Sequence, residues 1–309
     1  MITRKQLRQA LPFMSLAVVL LATFYVQPRA MSYFGLNLML QYAVPIALAT
    51  IAQMFVITVN DLDLSIGPFV GLVGCISATL LYSNPLMGAL VLLLLIAVYG
   101  GIGALIHVRN LPSIVVTLGL SFVWLGIAVL ILPSPGGKAP EWLKMIMGVK
   151  LPFIPFPIIA AIVIGVAVHL ALMLSSYGVI ARGAGGNAKA LTRAGWSMLK
   201  TKVAMYMLAG LFGVLSGLCL LGLTTSADAH VADRYTLFSI AGVILGGGEF
   251  IGGRVSPLGA VVGALTLALA GSFLIFLRIS PDWQIGAQGA ILIIVLALRA
   301  AVSVGEARQ

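Results

Sequence analysis

Residues 36–59 read LNLMLQYAVPIALATIAQMFVITV, residues 60–67 read NDLDLSIG, and residues 68–81 read PFVGLVGCISATLL. Two apolar runs, each suited to lipid, flank an octapeptide holding two carboxylates, an asparagine and a serine. An aspartate at the centre of a spanning helix costs on the order of 2.5–3.5 kcal/mol. Residues 60–63 are therefore expected to be either a solvated turn or polar backbone facing a water-filled path. Asp63 or Ser65 suits the N-cap of the following helix, where a side-chain oxygen accepts a backbone N–H. Pro68 is tolerated in a first turn, where its missing N–H costs little. A capped turn and an interrupted helix beside a transport path both satisfy this pattern.

The rest of the chain is just as oily. Of 309 residues, 61% are hydrophobic and 8% charged, whereas an ordinary soluble domain carries about 25% charged residues. There are too few charges to coat a soluble core, so lipid is the natural solvent. The expected fold is all-α: a polytopic inner-membrane bundle forming a single domain over 1–309, with about ten transmembrane helices, some broken or partial. A spanning helix needs about 20 residues. The candidate apolar runs lie at 11–27, 36–58, 64–82, 86–106, 112–132, 153–175, 203–223, 237–248, 257–277 and 284–300. The eighth is too short to cross and ends in GGGEFIGGR, which marks a broken span. The basic start and apolar run of the N-terminus resemble a signal peptide, but no convincing cleavage site follows, so a retained first helix is expected.

Charge sets the orientation. The net charge is +10, and most basic residues fall between apolar runs, as in loops facing the cytoplasm. That placement argues against nucleic-acid binding. Residues 176–202 carry Arg182, Lys189, Arg193, Lys200 and Lys202 without an acid and are expected inside. Residues 224–236, with Asp228, His230, Asp233 and Arg234, are expected outside. Ten spans then put both tails, 1–10 and 301–309, in the cytoplasm. Segment 133–152 falls outside with three lysines, and Trp142 with its apolar neighbours suggests a stretch lying in the interface. Cys75 and Cys219 sit in apolar runs without metal-ligand neighbours, and no metal or cofactor is expected. Glycine pairs four apart, Gly67/Gly71, Gly213/Gly217 and Gly259/Gly263, suit close helix packing.

Three stretches carry a resemblance. MFVITVNDLDLSIGPFVGLVG (54–74) resembles the GGIDLSVG signature of permeases from monosaccharide-type, ribose-like ABC importers. GNAKALTRAGW (186–196) is similar to their cytoplasmic GxNxxAAxxxGI segment. VILGGGEFIGGRVSPLGAVVGAL (243–265) resembles their VLGGxxxxGGxGxxxGxxxGA stretch. The three occur in family order, and the likeness runs along nearly the whole chain. Branched-chain amino-acid permeases share the layout, but DLDLSIG fits the sugar class better. The resemblance implies a dimeric pore, of this chain or with a related permease. It also implies a cytoplasmic ABC ATPase and a periplasmic sugar-binding protein as partners.

Asp63, Leu64, Ser65 and Gly67 match the signature, with Asn60 and Asp61 standing where the family has Gly-Gly. Gly186, Asn187, Ala190 and Gly195 match the segment implied to touch the ATPase, where Lys189 and Arg193 offer cations. The acid usual after that asparagine is absent. Gly246, Gly247, Gly252, Gly253, Gly259 and Gly263 match the third stretch, which also holds Glu249 and Arg254. Gly248–Arg254 mimics a phosphate loop, but Val255 follows where Ser or Thr would hold Mg²⁺. An ion-coupled carrier is the main rival, with Asp61, Asp63, Glu249 and His169 as candidate ionisable groups. An intramembrane protease finds no support, because GVLSG (213–217) places its serine one position late.

Overall fold

The computed structural model describes residues 4–280 and, beyond them, Trp283, Gly286, Gly289, Ala290 and Ile293. The described residues form a helical bundle. In chain order the helices are α1 (Arg4–Val26), α2 (Tyr33–Leu40), α3 (Ala43–Thr58), α4 (Ile66–Ile76), α5 (Pro85–Val108), α6 (Ser113–Ile131), α7 (Glu141–Met147), α8 (Phe156–His169), α9 (Ser176–Gly186), α10 (Ala188–Arg193), α11 (Met198–Thr224), α12 (Tyr235–Leu245) and α13 (Pro257–Phe276). Single π-helical turns extend α4 through Leu81 and α8 through Leu174. Among the described residues, six stretches are long and apolar enough to span: Tyr33–Thr58, Pro85–Val108, Ser113–Ile131, Phe156–Leu174, Met198–Thr224 and Pro257–Phe276. Shorter apolar helices cover Ala10–Val26, Ile66–Leu81 and Tyr235–Leu245. This is a multi-pass membrane bundle with partial spans.

The expected span 284–300 and tail 301–309 lie almost wholly outside the described residues. Helix α1 begins at Arg4, so most of the expected tail 1–10 is already helical. Segment 176–202 is two short helices rather than a loop. The side chains of Ser175, Asn187 and Ser197 accept backbone N–H groups at the starts of α9, α10 and α11, which is where such residues favour helix initiation.

Helix α3 is the axis of the bundle, and all 16 of its residues are buried. It packs against α11, α12 and α13, while α11 also packs on α4 and α5. The periphery is different. Helices α6 and α8 expose apolar side chains such as Val115, Phe122, Leu130, Ile162 and Val163, as lipid-facing helices do. Helix α7 is the short segment expected at the interface. It buries Leu143 near Gly222 of α11 and exposes Trp142 and Met145.

Small residues set the close approaches. Helix α4 lies in a groove of α11, with Phe69 over Gly213 and Val73 over Gly217. Gly259 and Gly263 of α13 lie against the backbone of Gly246 and Gly242. Gly67 and Gly71 face the turn residues 229–233, with Thr236 at the start of α12 also beside Gly67. The chain descends along α4 here, from Ala227 beside Gly74 to Thr236 beside Gly67.

Two ends follow from these contacts. One carries α9, α10, Asn60 and the stretch 246–254, and is the basic end. At the opposite end Gly136 and Ala227 exchange backbone hydrogen bonds of 2.9 and 2.8 Å, and Lys138 N–H donates to Ala78 O at 3.1 Å.

A methyl group at Gly259 would enter the backbone of Gly246, whereas one at Gly101 of α5 would meet nothing within 4 Å. Overpacking of this kind costs about 1–3 kcal/mol. Gly259→Ala is expected to lower the thermal unfolding midpoint of the detergent-solubilised protein, and Gly101→Ala to leave it unchanged or raise it slightly.

Candidate functional site

The chain turns at Asn60 and re-enters the bundle. Asn60 has φ +61°, a left-handed conformation that Asn tolerates better than most residues. Its side chain is a bridge: Nδ2 donates to Gly185 O at 2.7 Å, and Oδ1 accepts from Gly252 N–H at 3.0 Å. One asparagine thus joins the first and third stretches that the sequence singles out to Gly185, the residue just before the second. The left-handed backbone is held here by a residue that also supplies two bonds.

From Asn60 the chain runs back alongside α3. Gln53, in the C-terminal third of the span Tyr33–Thr58, pairs with the backbone of Asp63. With its amide oriented to satisfy both groups, it donates to Asp63 O at 2.9 Å and accepts from Asp63 N–H at 3.1 Å. At 1.5 Å per residue, this pairing lies about 10 Å along α3 from Asn60. Helix α4 therefore begins well inside the bundle, and residues 61–65 are a re-entrant, non-helical segment. Such backbone at membrane depth must be satisfied by protein or line a cavity. Here protein satisfies it. Leu62 N–H donates to Ser113 Oγ at 3.2 Å, Leu64 N–H to Thr117 Oγ1 at 3.1 Å, and Gly67 N–H to Thr236 Oγ1 at 2.9 Å. Thr117 Oγ1 also contacts Leu62 O at 3.2 Å.

Asp63 has no exposed surface. Its Oδ1 accepts from Ser65 N–H at 2.7 Å and from Ser65 Oγ at 2.6 Å, and its Oδ2 from the Tyr99 hydroxyl at 3.0 Å. Asp63 is thus neither a solvated turn residue nor exposed to a water-filled path in this conformation. Ser65 occupies the N-cap of α4 but makes no side-chain cap bond, because its hydroxyl is given to Asp63. An aromatic cluster walls the carboxyl off. Phe69 and Tyr99 have ring centroids 4.5 Å apart, and Trp124 stacks on Tyr99 at 6.4 Å.

Asp61 is held differently. Its Oδ2 lies 2.7 Å from Lys202 Nζ, with the two side chains 10% and 14% exposed, and accepts from the Tyr206 hydroxyl at 3.2 Å. Lys202 and Tyr206 are four apart on the first turns of α11, hence on one face.

The basic segment presents α10. Gly186, Asn187, Lys189, Ala190 and Arg193 are exposed, and Leu191 is the residue that α10 buries. Asn187 Oδ1 caps the helix on Ala190 N–H at 3.0 Å, and Gly195 turns the chain at φ +85°. The glycine-rich stretch is a compact turn between α12 and α13. Gly247, Gly252 and Gly253 have φ of +97°, +93° and +64°, values that explain glycine there. Gly246, Gly259 and Gly263 serve helix contact instead. Arg254 reaches Glu249 at 3.4 Å, so the phosphate-loop mimic folds on itself. The candidates for ion coupling divide accordingly: Asp61 and Glu249 are in ion pairs, and Asp63 is enclosed. Among the described residues, no cluster of three or more His, Cys, Asp or Glu could hold a metal.

Comparison with known proteins follows the same pattern. Residues 35–296 match the family described as the permease component of branched-chain amino acid transport systems. The chain belongs to this permease family. Among its relatives, the probable ABC transporter permease y4mJ of Sinorhizobium fredii is 28% identical over 289 residues, 91% of this chain and 86% of its own. The ribose import permease RbsC of Bacillus subtilis is 28% identical over 294 residues, covering 93% and 91%. The galactose/methyl galactoside import permease MglC of Haemophilus influenzae is 26% identical over 288 residues, covering 85% and 84%. No solved structure matches the chain significantly. The protein is therefore the non-catalytic membrane subunit of an ABC importer, a class that works with an ATPase and a solute-binding protein.

Sequence reasoning missed Gln53, Tyr99, Ser113, Thr117 and Thr236, which hold the re-entrant segment. Gln53 was findable as the lone amide within 43–58. Ser113 and Thr117, four apart at the start of a span, were a weaker signal.

Asp63→Ala would leave the Ser65 N–H buried without its acceptor and leave Ser65 Oγ and the Tyr99 hydroxyl, 3.3 Å apart, only each other, at about 1–3 kcal/mol for a stranded group. The thermal unfolding midpoint of the purified protein is expected to fall by several degrees or more. Tyr99→Phe removes the hydroxyl's contacts with Asp63 and Ser65 without stranding a donor and is expected to cost less.

Proposed function

We propose that this chain is the permease of an ATP-driven importer for a monosaccharide or a related small polyol or sugar. The observation that carries the solute class is the naming of its full-length relatives, which include ribose and galactose/methyl galactoside import permeases. The family description names branched-chain amino acids, but the DLDLSIG stretch favours the sugar class. Two copies, or this chain and a related permease, form the translocation path in a bacterial inner membrane. The basic end faces the cytoplasm, with both termini on that side, and the segment 224–236 faces the binding protein.

Within this reading the marked residues divide the work. Helix α10, exposed and bearing Lys189 and Arg193, is the seat of the ATPase, whose acidic groups pair with these cations. Residues 60–67 shape the path by holding the start of α4 inside the bundle. Asp63 and Ser65 support that start and do not contact solute. The turn 246–254 and the helix pair it joins form a second broken element beside the first. A neutral solute delivered by a binding protein needs no strong charged site in the pore. That suits a chain whose deep carboxylates are bonded or ion-paired.

The test is reconstitution in liposomes with the partner ATPase and binding protein. Binding protein loaded with ribose or galactose is expected to stimulate ATP hydrolysis, and uptake is expected to survive collapse of the proton gradient. The double variant Lys189→Glu/Arg193→Glu is expected to weaken ATPase association at least tenfold. Uptake that follows a proton or sodium gradient, with no ATPase association by the unaltered chain, would overturn the reading.

A further inference from the structure

The exposed helix α10 is tethered on both sides, and the two tethers end on consecutive residues. On its N-terminal side, Gly185 O accepts from Asn60 Nδ2 at 2.7 Å. Gly185 is buried there against Thr58 O and Gly253, so closely that a Cβ would not fit. On its C-terminal side, Lys202 in the first turns of α11 reaches Asp61 at 2.7 Å. Between these anchors the chain is mostly exposed, and α10 buries only Leu191. Besides the packing of α9 and α11 on the bundle, a force applied to α10 therefore meets two polar links, and both lead to the dipeptide Asn60–Asp61.

That dipeptide opens the re-entrant segment. Two residues on, Asp63 is bonded to Tyr99 of α5, and Leu62 and Leu64 are bonded to Ser113 and Thr117 of α6. Asn60 also holds Gly252 of the turn between α12 and α13. The contact is stiff by its chemistry. An ion pair with both side chains at most 14% exposed is screened far less than one in water, and its geometry is reinforced by the Tyr206 hydroxyl.

We propose that Asn60 and Asp61 are positioning residues that transmit displacement of α10 to the start of α4 and to the 246–254 turn, with the Asp61–Lys202 pair as the main link. This rests on the reading of the chain as an ABC permease with α10 at the ATPase. The rival explanation is an ordinary buried ion pair that only stabilises the fold. The two differ in what happens when both charges go. Replacing both members of a buried pair by neutral groups is often tolerated, while removing one is costly.

The experiment uses the complete complex of this chain, its ATPase and its binding protein in liposomes. It reads assembly by co-purification, and coupling as the stimulation of ATP hydrolysis by binding protein loaded with ribose or galactose. Two variants are compared: Asp61→Asn/Lys202→Met, which removes the pair, and Asn60→Gly, which keeps the left-handed backbone and removes both side-chain bonds. Each is expected to assemble and to lose at least four-fifths of the stimulation. Stimulation within twofold of the unaltered complex in both would overturn the proposal. Failure of both to assemble would make the dipeptide a folding element and overturn it as well. Failure of the unaltered chain to bind the ATPase would instead remove the permease reading on which the proposal rests.

Discussion

The fold depends on keeping a stretch of non-helical backbone inside a membrane bundle. Residues 61–65 run back along α3 with their peptide groups away from bulk water. In hydrocarbon each unpaired group would cost several kcal/mol. Side chains from α3, α6 and the first turn of α12 meet that demand: Gln53, Ser113, Thr117 and Thr236 bond the groups of Asp63, Leu62, Leu64 and Gly67. Asp63 then pairs with Ser65 and Tyr99. Much else follows from this arrangement. Helix α4 can begin deep in the bundle, Gly67 and Gly71 must admit a second non-helical segment, and Gly213 and Gly217 must admit Phe69 and Val73.

The two aspartates of NDLDLSIG play opposite parts. Asp63 looks inward, bonded to neutral donors and enclosed by Phe69, Tyr99 and Trp124. Asp61 looks toward the basic end and answers a lysine. The same residue type is thus used once as a local acceptor and once as a charge. Asn60 does a third job, since its amide offers a donor to Gly185 and an acceptor to Gly252 at once. Glycine at 60 would permit the turn but not the bridge.

The glycine-rich stretch 243–265 mirrors this economy of space. Its glycines serve two purposes that are indistinguishable by residue type. Gly247, Gly252 and Gly253 supply left-handed backbone, while Gly246, Gly259 and Gly263 let α12 and α13 touch backbone to backbone. The sequence pattern showed that a run stops near 248 and that another starts near Pro257. It did not show that the turn between them would lie against Asn60 and Gly185.

What the sequence by itself determined is local. The length and polarity of the apolar runs required lipid as solvent, and prolines, glycines and capping side chains marked where helices start and stop. The break at 60–63 and the partial span 237–248 were legible for that reason. The burial of Asp63, the partnership of Asp61 with Lys202 and the bridge at Asn60 were decided only by the tertiary structure. Their partners lie far away in the chain: Leu64 bonds Thr117 across 53 positions, Asn60 bonds Gly185 across 125, and Gly67 bonds Thr236 across 169. A solvated turn and a buried re-entrant segment can share the octapeptide NDLDLSIG, because local preference sets the bend while packing of distant helices sets whether water or protein receives its polar groups.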